Sequence, residues 1–217
     1  MHPQVAAVSK SLLILGAGGH GKVVADTAAQ LRHWRTIAFI DAPRRGEHVL
    51  GFDVLDVDDV STTLRDRFTD AVVAIGDPQR RLQLLDHLNE LGFSLPSVCH
   101  PRATISPHAA IGAGSVVFAG VVINAGTVIG RGCIVNTSAS VDHDCVLEDG
   151  VHIAPGAHLA GGVHVGHGSW IGIGACVREN LRIGSAVTVG AGGVVVADVD
   201  DGLEVAGVPA TAAFRRP

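Results

Sequence analysis

A period of six governs the second half of the chain. From Ile105 onward an apolar residue recurs at every sixth position: Ile105, Ile111, Val117, Ile123, Ile129, Val135, Val141, Leu147, Ile153, Leu159, Val165, Ile171, Val177, Ile183, Val189 and Val195. An α-helix repeats near 3.6 and an alternating strand at 2, so neither produces this spacing. A hexapeptide repeat marks a parallel β-helix. Each six-residue unit supplies a short flat strand and a corner, and three units close one coil of a triangular prism. The apolar residue points inward. The fourth position after it, as at Ser115, Thr127, Cys133, Ala139, Cys145, Ala157, Ser169 and Ala175, is small or β-branched and also fits inside. Gly and Asn suit the corners because they tolerate positive φ. Coils stacked at about 4.8 Å place each strand beside its copy one coil, eighteen residues, away. Buried aliphatic side chains at about 1.5–3 kcal/mol each make a core that needs neither metal nor disulfide.

The composition agrees with a narrow interior: aromatic residues make up 4% and Tyr is absent. The net charge is −5 and no basic run occurs, so nothing points to nucleic acid. Of the four cysteines, Cys99, Cys133, Cys145 and Cys176, none forms a CxxC, and Cys133 and Cys145 fall on the small interior position. Buried, reduced thiols fit a cytoplasmic protein. Met1 to Lys10 lacks a long apolar core, and no apolar run approaches a membrane span, so no membrane association is expected.

The repeat runs from Thr104 to about Val199, and a different pattern precedes it. Ser11 to Leu15 reads as a strand, Gly16-Ala17-Gly18-Gly19-His20-Gly21 as a turn, and the segment with Val23, Val24, Thr27, Ala28 and Leu31 on one side as a helix. Strand, glycine turn and helix form the context that brings backbone N–H groups and a helix dipole to a phosphate. Thr36 to Ile40 is a second strand ending at Asp41, which can reach a ribose hydroxyl or a base edge. Asp70 to Ile75 is a third, closing on Gly76-Asp77-Pro78. Asp77 then caps a helix with Pro78 at its first position, and Leu82, Leu85, Leu88 and Leu91 follow at helical spacing up to Gly92. The result is a Rossmann-like βαβαβα domain over residues 1–98, sized for one nucleotide rather than for NAD. Phe93 to Ala103, with Pro96 and Pro101, reads as the linker, and residues 99–217 hold the β-helix and a tail.

Of the histidines in the prism, His143 stands out, flanked by Asp142 and Asp144. Counted from inward Val141, it falls at a corner and points outward. A histidine held by a carboxylate is poised as a general base near neutral pH. One coil on, Gly161 sits over His143 with its N–H open to a ligand oxygen. A base beside an open N–H is the minimum for acyl transfer. By the same count Trp170 stacks over His152. Zinc is the competing chemistry, but His152, His158 and His164 share one repeat phase and face three directions, so no metal is expected.

The markers Gly16-Ala17-Gly18-Gly19-His20-Gly21-Lys22-Val23-Val24, Ile75-Gly76-Asp77, His100-Pro101, Asn136-Thr137, Asp142-His143-Asp144-Cys145, His152-Ile153-Ala154-Pro155-Gly156-Ala157 and Gly207-Val208-Pro209-Ala210 span nearly the whole chain. In these the chain resembles the bacterial nucleotide-sugar N-acetyltransferases of the sialic-acid and bacillosamine type, among the left-handed β-helix acyltransferases. The resemblance implies a left-handed helix, a homotrimer with sites between prisms, and acetyl-CoA as cosubstrate. It also implies acetyl transfer to the 4-amino group of a nucleotide-linked amino-deoxyhexose in glycan biosynthesis, UDP-linked before GDP- or dTDP-linked. By matching position it makes His143 the catalytic base, Asp144 its orienting partner and Gly161 the amide donor to the thioester oxygen. It lines the acetyl-CoA site with His152, Gly161, Ile173, Gly190 and Ala191. It gives Gly18, His20, Asp41, Gly76 and Asn136 to the nucleotide sugar. Some relatives carry Glu where Asp144 stands here.

Two other readings stay open on the sequence: O-acetyl transfer to a sialic-acid-type hydroxyl, and a non-enzymatic or metal-dependent trimeric β-helix protein. The trimer also follows from shape. A convex prism has no deep pocket, so a long cosubstrate needs a second wall from another copy, and threefold symmetry suits a triangular section.

Overall fold

The computed structural model describes residues 10–56 and 60–212. Of the segment Met1 to Lys10 only Lys10 falls within these, and the tail is described as far as Ala212.

The first unit is built on β1 (Ser11–Leu15), α1 (Gly19–Leu31), β2 (Thr36–Ile40), a hairpin of β3 (His48–Val49) and β4 (Phe52–Asp53), α2 (Thr62–Arg65), β5 (Asp70–Val73) and α3 (Pro78–Glu90). The sheet order is β2-β1-β5, all parallel. All five residues of β1 are buried, as expected of a central parallel strand covered on both faces. Gly16 has φ +103°, and a Cβ on Gly21 would run into the Gly16 carbonyl, so α1 approaches β1 only because that position is glycine. Asp77 caps α3 as expected, accepting from the Arg80 N–H at 2.7 Å. Two details differ from the sequence reading. The hairpin was not foreseen, and the middle helix is a single turn. On α1, Ala25 is buried with Val24 and Ala28 while Val23 is exposed, because the inward stripe lies between the helical rows that the apolar residues suggested.

The second unit is a parallel β-helix with three sheets. Strands pair across eighteen residues, as in Ser140–Val141 with His158–Leu159, Val146–Leu147 with His164–Val165, and His152–Ile153 with Trp170–Ile171. From Val117 onward every sixth-position residue is buried, and Ile105 and Ile111, on the first coil, are half-buried. The small positions Ser115, Thr127, Cys133, Cys145, Ala157, Ser169 and Ala175 are all 0% exposed, and burial pushes the Cys133 thiol up to about 12. The prism starts earlier than the repeat announced. Val98–Cys99, inside the stretch read as a linker, pairs with Val116–Val117. At the other end the spacing shortens, with Ile183 bridging Val199 and Val189 pairing with Val205, and the chain closes in the hairpin Glu204–Ala206 and Thr211–Ala212.

The two units share a core. Val98, Val116, Phe118 and Ile134, on the outer face of the eight-stranded sheet, pack with Leu12, Ile14 and Val24. Buried Arg81 on α3 bolts the seam. Its guanidinium donates to the carbonyls of Gly132 and Gly150 in the prism, each at 2.7 Å, and to those of Ile75 and Gly76, at 2.8 and 2.7 Å. The whole is the expected class, a Rossmann-like βαβαβα unit followed by a left-handed parallel β-helix.

Candidate active site

His143 follows the strand Ser140–Val141 at a prism corner. Asp144 has φ +57°, the left-handed conformation that glycine takes one coil below and above, at Gly126 and Gly162. Asp tolerates this region better than most residues, because its short polar side chain bonds locally. The backbone reversal turns the Asp144 carboxylate back, and Oδ2 lies 2.8 Å from His143 Nδ1. An ionised carboxylate only accepts, so Nδ1 carries the proton and Nε2 is left as the base. This bond, and then the charge of Asp142, hold the His143 pKa above its usual value. Both side chains are exposed.

The ring lies against Gly161 of the next coil. A Cβ on Gly161 would fall among the ring atoms, 3.1 Å from Cδ2 and nearer still to Nε2 and Cε1. The Gly161 carbonyl accepts from Asn180 N–H at 2.9 Å, whereas its own N–H has no acceptor among the described residues. Gly161 is buried beneath the ring, so the structure brings the histidine and this unpaired N–H to the same corner.

Four residues expected at the acetyl-CoA site converge elsewhere. His152, Ile173, Gly190 and Ala191 line one apolar pocket of about 270 Å³, with Trp170 and Thr188. Trp170 stacks on His152 with centroids 5.3 Å apart and planes 8° from parallel. Burial, then the charges of Arg81 and His20, push the His152 pKa down to about 4, so the ring is neutral. Its Nε2 lies 3.3 Å from Asn136 Nδ2, which can only donate, and the proton therefore sits on Nδ1. Gly161 does not line this pocket. In one chain the His143 corner and the pocket lie at different corners, at the two ends of the face that carries Ser140–Val141 and His158–Leu159.

A second cleft, of about 430 Å³, opens where β1, β2 and β5 end, lined among others by Gly16, Gly18, Asp41, Ile75 and Arg80. Asp41 Oδ2 accepts from the Ala17 N–H at 2.7 Å, and Arg44 donates to the Ala17 carbonyl at 2.7 Å, so the glycine turn is held from both sides. Gly18 and Asp41, both expected at the nucleotide sugar, line this cleft together. His20, Gly76 and Asn136 are not in this cleft. The edge of His20 meets Phe118 of the prism at 5.6 Å; its Nε2 is buried without a partner, and burial followed by Arg81 pushes its pKa down to about 4. Gly76 opens on a pocket of about 150 Å³ at the seam, which shares His152, Trp170 and Thr188 with the apolar pocket.

The match to known proteins is extensive. Residues 11–88 match the family model described as the PglD N-terminal domain. The acetyltransferase domain of PglB from Neisseria gonorrhoeae is 47% identical, with a TM-score of 0.89, covering 94% of this chain and 100% of that one. The chain belongs to the PglD-like hexapeptide-repeat sugar acetyltransferases. The Neisseria domain has also been solved with acetyl coenzyme A. A histidine-to-alanine variant of the GDP-perosamine N-acetyl transferase from Caulobacter crescentus, solved with CoA and GDP-perosamine, is 40% identical, with a TM-score of 0.90 and coverage of 96% and 98%. WeeI from Acinetobacter baumannii is 28% identical, with a TM-score of 0.85 and coverage of 94% and 100%. Curated protein sequences gave no match.

Among the described residues no group of three His, Cys, Asp or Glu could hold a metal ion, and no helix is long and apolar enough to cross a membrane. Sequence reasoning missed Arg80. It stands in the first turn of α3, has no ion pair among the described residues, and reaches the nucleotide-sized cleft. Its signal was its position just after Gly76-Asp77-Pro78, at the end of a parallel strand.

Proposed function

We propose that the chain transfers acetyl from acetyl-CoA to the 4-amino group of a nucleotide-linked amino-deoxyhexose. The observation that carries this is the His143–Asp144 pair set against Gly161, whose N–H has no acceptor among the described residues. His143 Nε2 takes the proton of the amine as its nitrogen attacks the thioester carbon. The Gly161 N–H donates to the oxyanion that forms; as it collapses the C–S bond breaks, and coenzyme A departs as the thiol, its sulfur taking the proton from His143. The Neisseria and Caulobacter relatives, solved with acetyl coenzyme A and with CoA, support the donor.

The cleft holding Gly18, Asp41 and Arg80 takes the nucleotide. Its volume of about 430 Å³ admits a pyrimidine or a purine. A uridine-linked sugar is the expectation from the family at large, and the Caulobacter relative supports testing a GDP-linked one beside it. His20, Asn136 and Gly76, at the seam beside His152, line the way from the nucleotide toward the acetyl group.

The working form is a homotrimer. His143 and the His152–Trp170 pocket lie at different corners of one prism, so the base of one copy meets the cosubstrate pocket of its neighbour only when copies pack side by side. The test is a panel of UDP-, GDP- and dTDP-linked amino sugars with acetyl-CoA, read by release of free thiol, alongside sedimentation of the active species. Thiol release with an amino sugar and not with its hydroxyl analogue, from a particle of three chains, supports the proposal. Release with sialic acids alone, or full activity from a monomer, overturns it.

A further inference from the structure

His143 is held at its ring by Asp144. Its backbone is held by a second device, one coil deep, whose members take no part in the proton transfer itself. Asp142 Oδ1 accepts the His143 backbone N–H at 2.8 Å. The same oxygen accepts from Asn124 Nδ2 at 2.7 Å. Asn124 is the residue eighteen positions earlier, directly below Asp142 in the stack, and its own N–H is fixed to the Val141 carbonyl at 3.0 Å. The Asp142 carbonyl is tied as well, accepting from the buried Thr127 hydroxyl at 2.7 Å.

We propose that Asn124 and Asp142 form a strut that positions His143 for proton transfer, with Asn124 acting through Asp142. The physical reason lies in the corner. The residue after His143 is in the left-handed region, and a short exposed loop with a bulky ring has several arrangements open to it. An acceptor locked on the His143 N–H removes rotation about the peptide that carries the ring. Asn124 keeps that acceptor from turning to solvent, and the two donors on one oxygen hold the Asp142 carboxyl below its ordinary pKa, so it stays ionised and accepting. Asn124 touches neither ring nor substrate in this arrangement, so it is a positioning residue. The charged groups acting on the ring are Asp144 and Asp142.

The inference rests on His143 being the base, and the experiment separates the two. Steady-state kinetics are measured for Asn124→Ala, Asp142→Ala, the double variant and His143→Ala. A misplacement of about 1 Å costs up to 10²-fold, so a loosened strut should lower kcat by about tenfold. KM for acetyl-CoA should stay unchanged, since neither Asn124 nor Asp142 lines its pocket. The double variant should lose no more than Asp142→Ala alone, because Asn124 acts only through that carboxylate. The pH profiles divide the two members. Asp142→Ala removes a negative charge beside His143 and moves the acid limb to lower pH, while Asn124→Ala keeps the charge and leaves the limb in place. Wild-type kcat in Asn124→Ala, or losses that multiply in the double variant, overturns the strut and leaves the base standing if His143→Ala loses about 10²-fold or more. Near-wild-type turnover in His143→Ala overturns both.

Discussion

Gly161→Ala separates the position of the base from the N–H that faces it. The substitution keeps the backbone N–H. Gly161 has no positive φ, so alanine meets no conformational penalty there. What it meets is the His143 ring, with Cδ2 at 3.1 Å and Nε2 and Cε1 closer than any real Cβ contact. The neighbour is the exposed end of a side chain and moves away easily, so the fold should tolerate the change although Gly161 itself is buried. The ring, however, must shift by about 1 Å, and a shift of that size costs up to roughly 10²-fold in rate. The control is Gly166→Ala. There a Cβ would meet the Gly184 carbonyl carbon and the Ser185 nitrogen at 2.6 Å, both backbone atoms that cannot yield. It should cost about 1–3 kcal/mol of stability through overpacking. Thermal denaturation and steady-state kinetics on both variants read the contrast: Gly161→Ala slow but stable, Gly166→Ala destabilised. A Gly161→Ala enzyme with wild-type kcat would refute the claim that the contact between ring and glycine sets the geometry of proton transfer.

Replacing His143 by Ala should lower kcat by about 10²–10⁴, the usual worth of a general base. Because Asp144 raises the His143 pKa, activity should rise with pH through that elevated value, and Asp144→Asn should move the acid limb of kcat/KM to lower pH; an unmoved limb counts against the pairing. Asp41→Ala and Arg80→Ala should each raise KM for the nucleotide sugar and leave KM for acetyl-CoA unchanged in a two-substrate analysis. His20 and His152 have folded-state pKa values near 4, below the ordinary 6.5. Their contribution to stability is therefore complete above pH 6.5 and is lost as pH falls from there toward 4. His20→Asn should make the decline of Tm over that interval shallower, and an unchanged slope would show that His20 does not titrate with unfolding.

The prism was legible because its inward positions are set by packing alone. A six-residue period admits one architecture, and the eighteen-residue stack follows by counting, which put Gly161 over His143 and Trp170 over His152 before any coordinates. The early start at Val98 was hidden because Cys99, the in-phase residue, sits among prolines. The shortened last coil was hidden because aspartates replace the corner glycines at Asp198, Asp200 and Asp201. His20 escaped for a different reason. The glycine turn places it correctly along the chain, but which way its ring faces depends on Phe118, nearly a hundred residues on. Arg80 and Asn124 escaped because each acts across a tertiary contact: Arg80 from the first turn of α3, Asn124 from one coil below Asp142. The αL conformation of Asp144, which aims its carboxylate at His143, belongs to the corner and not to the local sequence.

The proposed site is assembled from two chains. Co-expression of His143→Ala with Ile173→Asp tests it most directly. The first lacks the base, and the second places a charge in the apolar pocket where the cosubstrate is proposed to lie. Each alone should be nearly inactive. In randomly mixed trimers an intact His143 faces an intact pocket at about a quarter of the interfaces, so the mixture should regain about a quarter of wild-type turnover. If base and pocket instead served the same chain, every site would carry one defect, and the mixture would stay as inactive as its parents.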